Sequence, residues 1–338
     1  MPKGIYLAAV KFQDEFSYIN ESGVRSTMRI RNFNHKIKDR KQLNQEKMRH
    51  YTKKLIFIAA AIFALSSLAG FVSRKQLQQP FFFIQMTDPQ FGFFNANKDF
   101  VKETENFEKA IKEANRLHPA FVIITGDLIN RPRDKAQIAA YKRIVAKLDK
   151  SIPVYHVAGN HDVTNDPKAR DIKAFNKEFG PDYYSIKYKG MYGIVLNSLY
   201  FKSPSGVQAQ ADAQDKWLHN ELKKAKKRGS SPILIFQHHS WFLKDPFEKN
   251  DYFNVDSATR KKYLELFAAS GVSHIFAGHY HRNAFGKFGD MEMVTTGPVG
   301  KPLGKDPSGF RIISVNGNKV THQYYNLDSI PDQIVVGQ

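Results

Sequence analysis

No cysteine occurs among the 338 residues. That absence excludes a disulfide scaffold, a thiolate zinc site, an iron–sulfur cluster and a cysteine nucleophile, so any metal chemistry must use His, Asp, Glu, Asn or Gln. Acidic residues are also scarce: 32 Asp and Glu stand against 51 Lys and Arg, a formal net charge of +19. Internal repeats and low-complexity tracts are missing, and 42% hydrophobic residues with 13% aromatics exclude wholesale disorder. What is left is a globular protein long enough to bury a substantial core.

Excess positive charge attracts polyanions and anionic membrane surfaces, so its distribution decides what it means. Residues 1–54 hold 13 basic and 5 acidic residues, and residues 80–338 hold 36 and 27. The first group flanks an uncharged run of 18 residues, 55–72 (LIFIAAAIFALSSLAGFV), with Lys53 and Lys54 before it and Arg74 and Lys75 after it. Uncharged runs of about 18 residues are rare in soluble helices, so this one reads as a signal peptide or an N-terminal membrane anchor rather than a core helix. Ser67, Leu68 and Ala69 before Gly70 would permit cleavage, whereas the uncleaved run could just span a hydrocarbon core of about 30 Å. Residues 1–54 read as a basic leader, either a cytoplasmic tail or an over-extended start for which Met48 is the better beginning. Lacking aromatic interleaving and repeats, the leader does not look like a nucleic-acid-binding arm, and no nucleic-acid partner is expected. The following domain, 80–330, is expected to be exported: periplasmic, extracellular or anchored to the outer face of the membrane.

From residue 79 onward short apolar runs alternate with helical patterns, the signature of a sheet covered by helices. Strands are expected at 81–86, 120–125, 154–157, 233–236 and 272–276. Helices are expected at 99–117, 135–148, 211–227 and 257–270, and hairpins around Lys189-Gly190, 291–296 and 310–325. Each of the five strands is followed by metal-type residues: T-D-P-Q with Asp88 and Gln90, G-D-L-I-N with Asp127, G-N-H-D with Asn160, His161 and Asp162, Q-H-H with His238, and G-H-Y-H with His279 and His281. Open sheets gather their sites at strand carboxyl ends, so five loops distant in sequence are expected to converge. The set exceeds the four donors of a structural zinc and contains only oxygen and imidazole. It suits two divalent ions drawn from Mn, Fe, Zn, Co or Ni, bridged by a carboxylate, an arrangement built for phosphoryl displacement.

In order and spacing these blocks resemble the calcineurin-like metallophosphoesterases, over roughly residues 80–300, and look closest to a branch that includes a protein serine/threonine phosphatase. The resemblance implies a four-layered αββα sandwich. It also implies a first metal surrounded by Asp88, Gln90, Asp127 and His281, and a second by Asp127, Asn160, His238 and His279. Asp127 would bridge, and His161 would bind the phosphate or protonate the leaving oxygen, with Asp162 orienting it by a hydrogen bond. Gln90 stands where the family's commonest pattern has a histidine, and a neutral amide oxygen makes that position a weaker donor. The function implied is hydrolysis of a phosphate monoester by a metal-bound hydroxide, the partner being a phosphorylated substrate, with the membrane a second partner if the apolar run is uncleaved. Alternatives are a phosphodiesterase acting on a nucleotide or lipid headgroup and a non-catalytic anion-binding protein. Asn130, Arg131 and Arg282 are open candidates for the site, and Phe91, Phe93 and Phe94 could line a pocket or belong to the core. His239 reads as a neighbour of the ligands. His118, His156, His219, His274 and His322 lack a motif and read as packed or surface residues.

Overall fold

The computed structural model describes residues 15–19, 22–29, 31–77 and 79–336, with side chains left out at 15–19, 26–29, 31–37, 39 and 64–77. The chain divides after Arg74 into two units. In the first, strands β1 (Glu15–Ile19) and β2 (Arg25–Arg29) pair antiparallel, and helix α1 spans Arg31–Leu77. Its residues 55–63 are exposed, among them Leu55, Ile56, Phe57, Ile58, Ile62 and Phe63, so this stretch is no core helix. Among the described residues no helix is long and apolar enough to cross a membrane; the remainder of the apolar run, 64–72, lies outside the described side chains.

The second unit follows the expected alternation. Strands β3 (Phe81–Met86), β4 (Val122–Ile124) and β5 (Val154–His156) run parallel, joined by helices α2 (Val101–Leu117) and α3 (Lys135–Val145). A short helix α4 (Asn160–Val163) and helix α5 (Ala169–Phe179) precede the hairpin β6 (Tyr184–Tyr188) and β7 (Met191–Val195). After helix α6 (Leu199–Lys202) and helix α7 (Gln208–Lys227) come β8 (Ile233–Phe236), helix α8 (Ser257–Ala269) and β9 (Val272–Ala277). The hairpins β10 (Ala284–Phe288) with β11 (Met291–Thr295), and β12 (Gly309–Asn316) with β13 (Lys319–Asn326), end the chain. Helix α5 had not been expected: only Ile172, Phe175 and Phe179 mark its apolar side, too few to stand out from the surrounding loop.

The strands form two mixed sheets, in the orders β13-β12-β3-β4-β5 and β10-β11-β9-β8-β7-β6. Alternation along β3 shows how they stack. Phe81 and Phe83 enter a core shared with Leu234 and Phe236 of β8, while Ile84 and Met86 enter the core beneath α2 and α3. Likewise Ile233 and Ile235 turn to the core beneath α7 and α8. Strands buried on both faces read as continuous apolar runs, which is why they were visible in sequence. The inter-sheet layer is aromatic: the Phe83 ring stacks on Phe121 at 4.5 Å and meets Phe236 edge-on at 5.8 Å. The architecture is thus the four-layered αββα sandwich.

At the end of this layer polar groups tie the sheets together. Gln85 Nε2 donates to Thr125 Oγ1 (3.0 Å) and to the Ala277 carbonyl (3.1 Å), while its Oε1 accepts from Thr296 Oγ1 (2.8 Å). The buried Arg311 donates from Nε to Thr296 Oγ1 (2.8 Å). One side chain of β3 therefore fixes the carboxyl ends of β4, β9 and β11, from which the loops of the site depart.

Candidate metal centre

Asp88, Gln90, Asp127, His279 and His281 all adopt positive φ, between 39° and 68°. For residues other than glycine this costs about 1–3 kcal/mol each and persists only where the surroundings enforce it. Five of the seven expected ligands thus sit in sharp turns directly after a strand, each aiming its side chain away from the strand direction. The motif glycines let the turns touch. A Cβ on Gly159 would lie 2.2 Å from Asp127 N, and one on Gly278 would lie 1.8 Å from Thr87 Oγ1 and 2.6 Å from Asp88 Oδ2.

The donors converge in two groups that share one residue. Ligand atoms of Asp127, His238 and His279 lie within 4.8 Å of one another, and so do those of Asp88, Asp127 and His281. His238 Nε2 is 3.3 Å from Asp127 Oδ2 and 3.0 Å from Asn160 Oδ1, which brings Asn160 into the first group. Each histidine has its other nitrogen spent on a backbone carbonyl: His238 Nδ1 on Thr125 (2.9 Å), His279 Nε2 on Tyr252 (3.3 Å) and His281 Nδ1 on Lys301 (2.6 Å). A carbonyl can only accept, so these nitrogens carry the protons, and His238 Nε2, His279 Nδ1 and His281 Nε2 are left to coordinate.

The Gln90 amide is fixed in a comparable way. Its Nε2 donates to Asn130 Oδ1 (3.1 Å), which fixes the amide so that Oε1 is buried with no hydrogen-bond partner. Asp88 Oδ1 is likewise buried and unpartnered, 3.4 Å from His281 Nε2. Two orphaned buried oxygens cost about 1–3 kcal/mol each unless a cation satisfies them. The residues present therefore fit a pair of divalent ions.

The charges agree. Burial presses the Asp88 and Asp127 carboxylates toward protonation, yet the adjoining His281 and His238 outweigh it and hold both below the usual carboxylate range. Burial opposes the charge on His238 as well, but Asp127 pushes it up to about 9, whereas burial and the neighbouring His238 press His279 down to about 3. Two buried carboxylates facing these histidines mark a place where positive charge is favourable.

One expectation needs correction. Asp162 does not orient His161. Its Oδ1 accepts from the backbone N–H of Leu128 (2.9 Å) and Ile129 (3.2 Å), and its Oδ2 from that of Gly159 (2.9 Å). It is a buried clasp between the G-D and G-N-H-D loops, and no hydrogen bond joins it to the His161 ring. The orienting group is the Asn130 carbonyl, which accepts from His161 Nδ1 (2.9 Å), while His161 N–H donates to Asp127 Oδ1 (2.8 Å). Asn130 thus acts twice, through its carbonyl on His161 and through its side chain on Gln90.

The remaining candidates separate. Phe91 is fully buried in the core, whereas the Phe93 ring lies 5.1 Å from His281 and 6.4 Å from His161 at the edge of the site. Arg282 donates from Nε to the Leu303 carbonyl and lies over the Tyr280 ring. The buried His239 bonds to Ser198 Oγ (2.9 Å), with its ring 4.2 Å from that of His279. The site residue that sequence reasoning missed is Tyr252, one of several aromatics in the loop 240–254, where no motif singles it out. His274 and His322 meet Glu292 at 3.3 and 3.4 Å. Arg311 Nη1 donates to His322 Nδ1 (2.9 Å), however, so Nε2 of that ring carries the proton and is not a ligand.

Comparison with known proteins adds three findings. Residues 83–283 match the family model described as calcineurin-like phosphoesterase. Serine/threonine-protein phosphatase CPPED1 of Homo sapiens is 36% identical over 285 residues, 79% of this chain and 91% of that protein. Among solved structures, a dimetal phosphatase from Danio rerio superposes with a TM-score of 0.52 at 14% identity, covering 73% of this chain and 96% of that one. Purple acid phosphatase PPD1 from yellow lupin gives 0.57 at 13% identity, over 74% and 52%. The two structures bear on the fold alone.

Proposed function

The chain belongs to the calcineurin-like phosphoesterases, and from that membership we propose that it is a phosphomonoesterase acting on phosphorylated serine or threonine side chains. It is a metal-dependent phosphoric ester hydrolase with a phosphorylated substrate, and its family uses a dinuclear divalent metal site. The observation that carries the residue assignment is the sharing of Asp127 between two donor groups. Asp88, Gln90, Asp127 and His281 would hold one ion, and Asp127, Asn160, His238 and His279 the other. When bound, such a pair neutralises phosphate oxygens and lowers the pKa of a water.

The rest falls to the protein's own groups. Asp127 supplies the one carboxylate common to both groups, and its Oδ1 also receives the His161 N–H, so the base of the site and the His161 backbone are fixed together. His161 keeps Nδ1–H on the Asn130 carbonyl, which leaves Nε2 for a phosphate oxygen or for the proton that the departing alkoxide must receive. The Phe93 ring beside His161 and His281 would keep water from that side of the leaving group. The deciding assay compares para-nitrophenyl phosphate with its bis-ester on protein reconstituted with Mn²⁺. Faster turnover of the mono-ester is expected, and faster turnover of the bis-ester would make the protein a phosphodiesterase. Activity on a phosphoserine peptide tests the substrate class.

Export is the second part of the proposal. Support comes from the uncharged run at 55–72, the lysines before it and the exposed apolar side chains of 55–63. Protein resisting alkaline carbonate extraction, with a domain open to external protease, is the expected result for an anchor. A soluble exported form beginning near Gly70 would mean a cleaved signal, and a cytosolic protein would reject both.

A further inference from the structure

To serve the metal group the Asn160 amide must present its oxygen, and its nitrogen then needs a partner that holds it. Its Oδ1 lies 3.0 Å from His238 Nε2, and its Nδ2 donates to the Tyr252 hydroxyl (3.2 Å). The same tyrosine's carbonyl accepts from His279 Nε2 (3.3 Å), and its ring lies 4.8 Å from the His279 ring. One residue thus contacts both Asn160 and His279, and it does so with three different parts: hydroxyl, ring and backbone.

The loop that carries Tyr252 is built to hold it still. Arg260, buried at the start of α8, donates to the carbonyls of Pro246 (3.0 Å), Glu248 (2.8 Å) and Val255 (2.9 Å). Lys202 donates to the Asp251 carbonyl (2.7 Å) and to that of Asn254, and Asn254 Nδ2 donates to Glu248 Oε1 (2.7 Å). Loop carbonyls on both sides of Tyr252 are therefore seated on buried or half-buried cations. Tyr252 itself remains 50% exposed, so its hydroxyl is not there to fill a core.

We propose that Tyr252 is a positioning residue for the half of the metal site formed by Asn160, His238 and His279, holding the Asn160 amide through its Nδ2 and the His279 ring with Nδ1 inward. The proposal rests on the reading of those residues as ligands. Losing such an outer contact lowers metal affinity by about 10- to 100-fold, and the effect must be confined to one of two ions.

The test is calorimetric titration of the metal-free full chain with Mn²⁺, for the native protein, Tyr252→Phe and Tyr252→Leu. Tyr252→Phe keeps the ring and the carbonyl and removes only the hydroxyl. It should weaken one binding step by about tenfold and leave the other unchanged, with Tyr252→Leu weakening the same step further. Excess Mn²⁺ should restore kcat in Tyr252→Phe at unchanged KM, which a merely structural loss would not allow. Superimposable isotherms for native and variant, or equal weakening of both steps, overturn the role of Tyr252 while leaving the phosphatase intact. A native protein that binds no metal overturns the ligand reading along with it.

Discussion

His161 and Asp162 are neighbours in one motif and have separable tasks, which substitution can expose. Removing a group that donates or accepts a proton in the transition state costs about 10²- to 10⁴-fold in rate. His161→Ala is therefore expected to lose that much kcat on para-nitrophenyl phosphate with melting temperature and bound metal unchanged. Asp162→Ala strips three backbone N–H groups of their acceptor, at about 1–3 kcal/mol for each that stays buried and unpaired, so its loss should appear first in denaturant unfolding. Equal melting temperatures for the two variants would contradict this division. His156, at the end of β5, gives a pH signature. Burial holds its pKa down to about 4, against an ordinary value of 6.5, and its Nε2 is sealed from solvent without a partner. Between those values the unfolded chain takes up a proton that the native ring refuses. Stability is complete above pH 6.5 and falls as pH drops toward 4, by at most about 3 kcal/mol. Urea midpoints of His156→Phe should fall less than those of the native protein between pH 7 and 4.5, both measured with EDTA present; parallel curves would exclude His156 as the source.

At the scale of elements, the loop between β8 and α8 draws most of its carbonyl partners from one side chain. Arg260 sits one turn into α8, yet its guanidinium serves carbonyls of Pro246, Glu248 and Val255. Arg260→Leu leaves those acceptors unsatisfied and should loosen the loop without melting the sheets. The expected outcome is faster amide exchange over 242–255 and a lower kcat/KM; unchanged exchange there would show that Lys202 and Asn254 suffice. Element by element, much was legible beforehand. Strands buried on both faces, such as β3 and β8, gave continuous apolar runs, and α2 placed Phe107, Ile111 and Ala114 at helical spacing. Helix α5 was not legible because three apolar residues define its buried side, and the Tyr252 loop was not because its order comes from side-chain bonds to loop carbonyls, by Arg260 just beyond it and by Lys202 well before it. Helix α1 begins at Arg31, inside a leader that had no readable period.

For the whole second unit, the candidate metal site is a property of both sheets. Asp88, Gln90, Asp127 and Asn160 leave strands β3, β4 and β5 of one sheet, and His238, His279 and His281 leave β8 and β9 of the other. An ion held between them ties the layers together and binds the native state alone. At a hundred times its Kd each ion adds about 2.7 kcal/mol, which in a unit of this size raises Tm by about 2–4 °C per kcal/mol. EDTA should lower Tm by several degrees and added Mn²⁺ should restore it in differential scanning fluorimetry; a Tm indifferent to both would mean that the two halves are not joined by metal.

The sequence alone determined which residues could do chemistry here, because a ligand must have a donor atom and a strand end is a readable place. Zero cysteines restricted the donors to oxygen and imidazole, and five motif blocks supplied them in order. Only the tertiary structure decided how each donor is turned. The backbone carbonyls of Thr125, Lys301, Tyr252 and Asn130 select the nitrogen that each of four histidines presents, and Asn130 and Tyr252 hold the nitrogen ends of the Gln90 and Asn160 amides. Every residue carries a carbonyl, so no residue type announces one that will orient a ligand. The same reason explains why Asp162 was misread: its place in G-N-H-D put it beside His161 in the chain, while the fold spent its oxygens on backbone N–H groups of Leu128, Ile129 and Gly159.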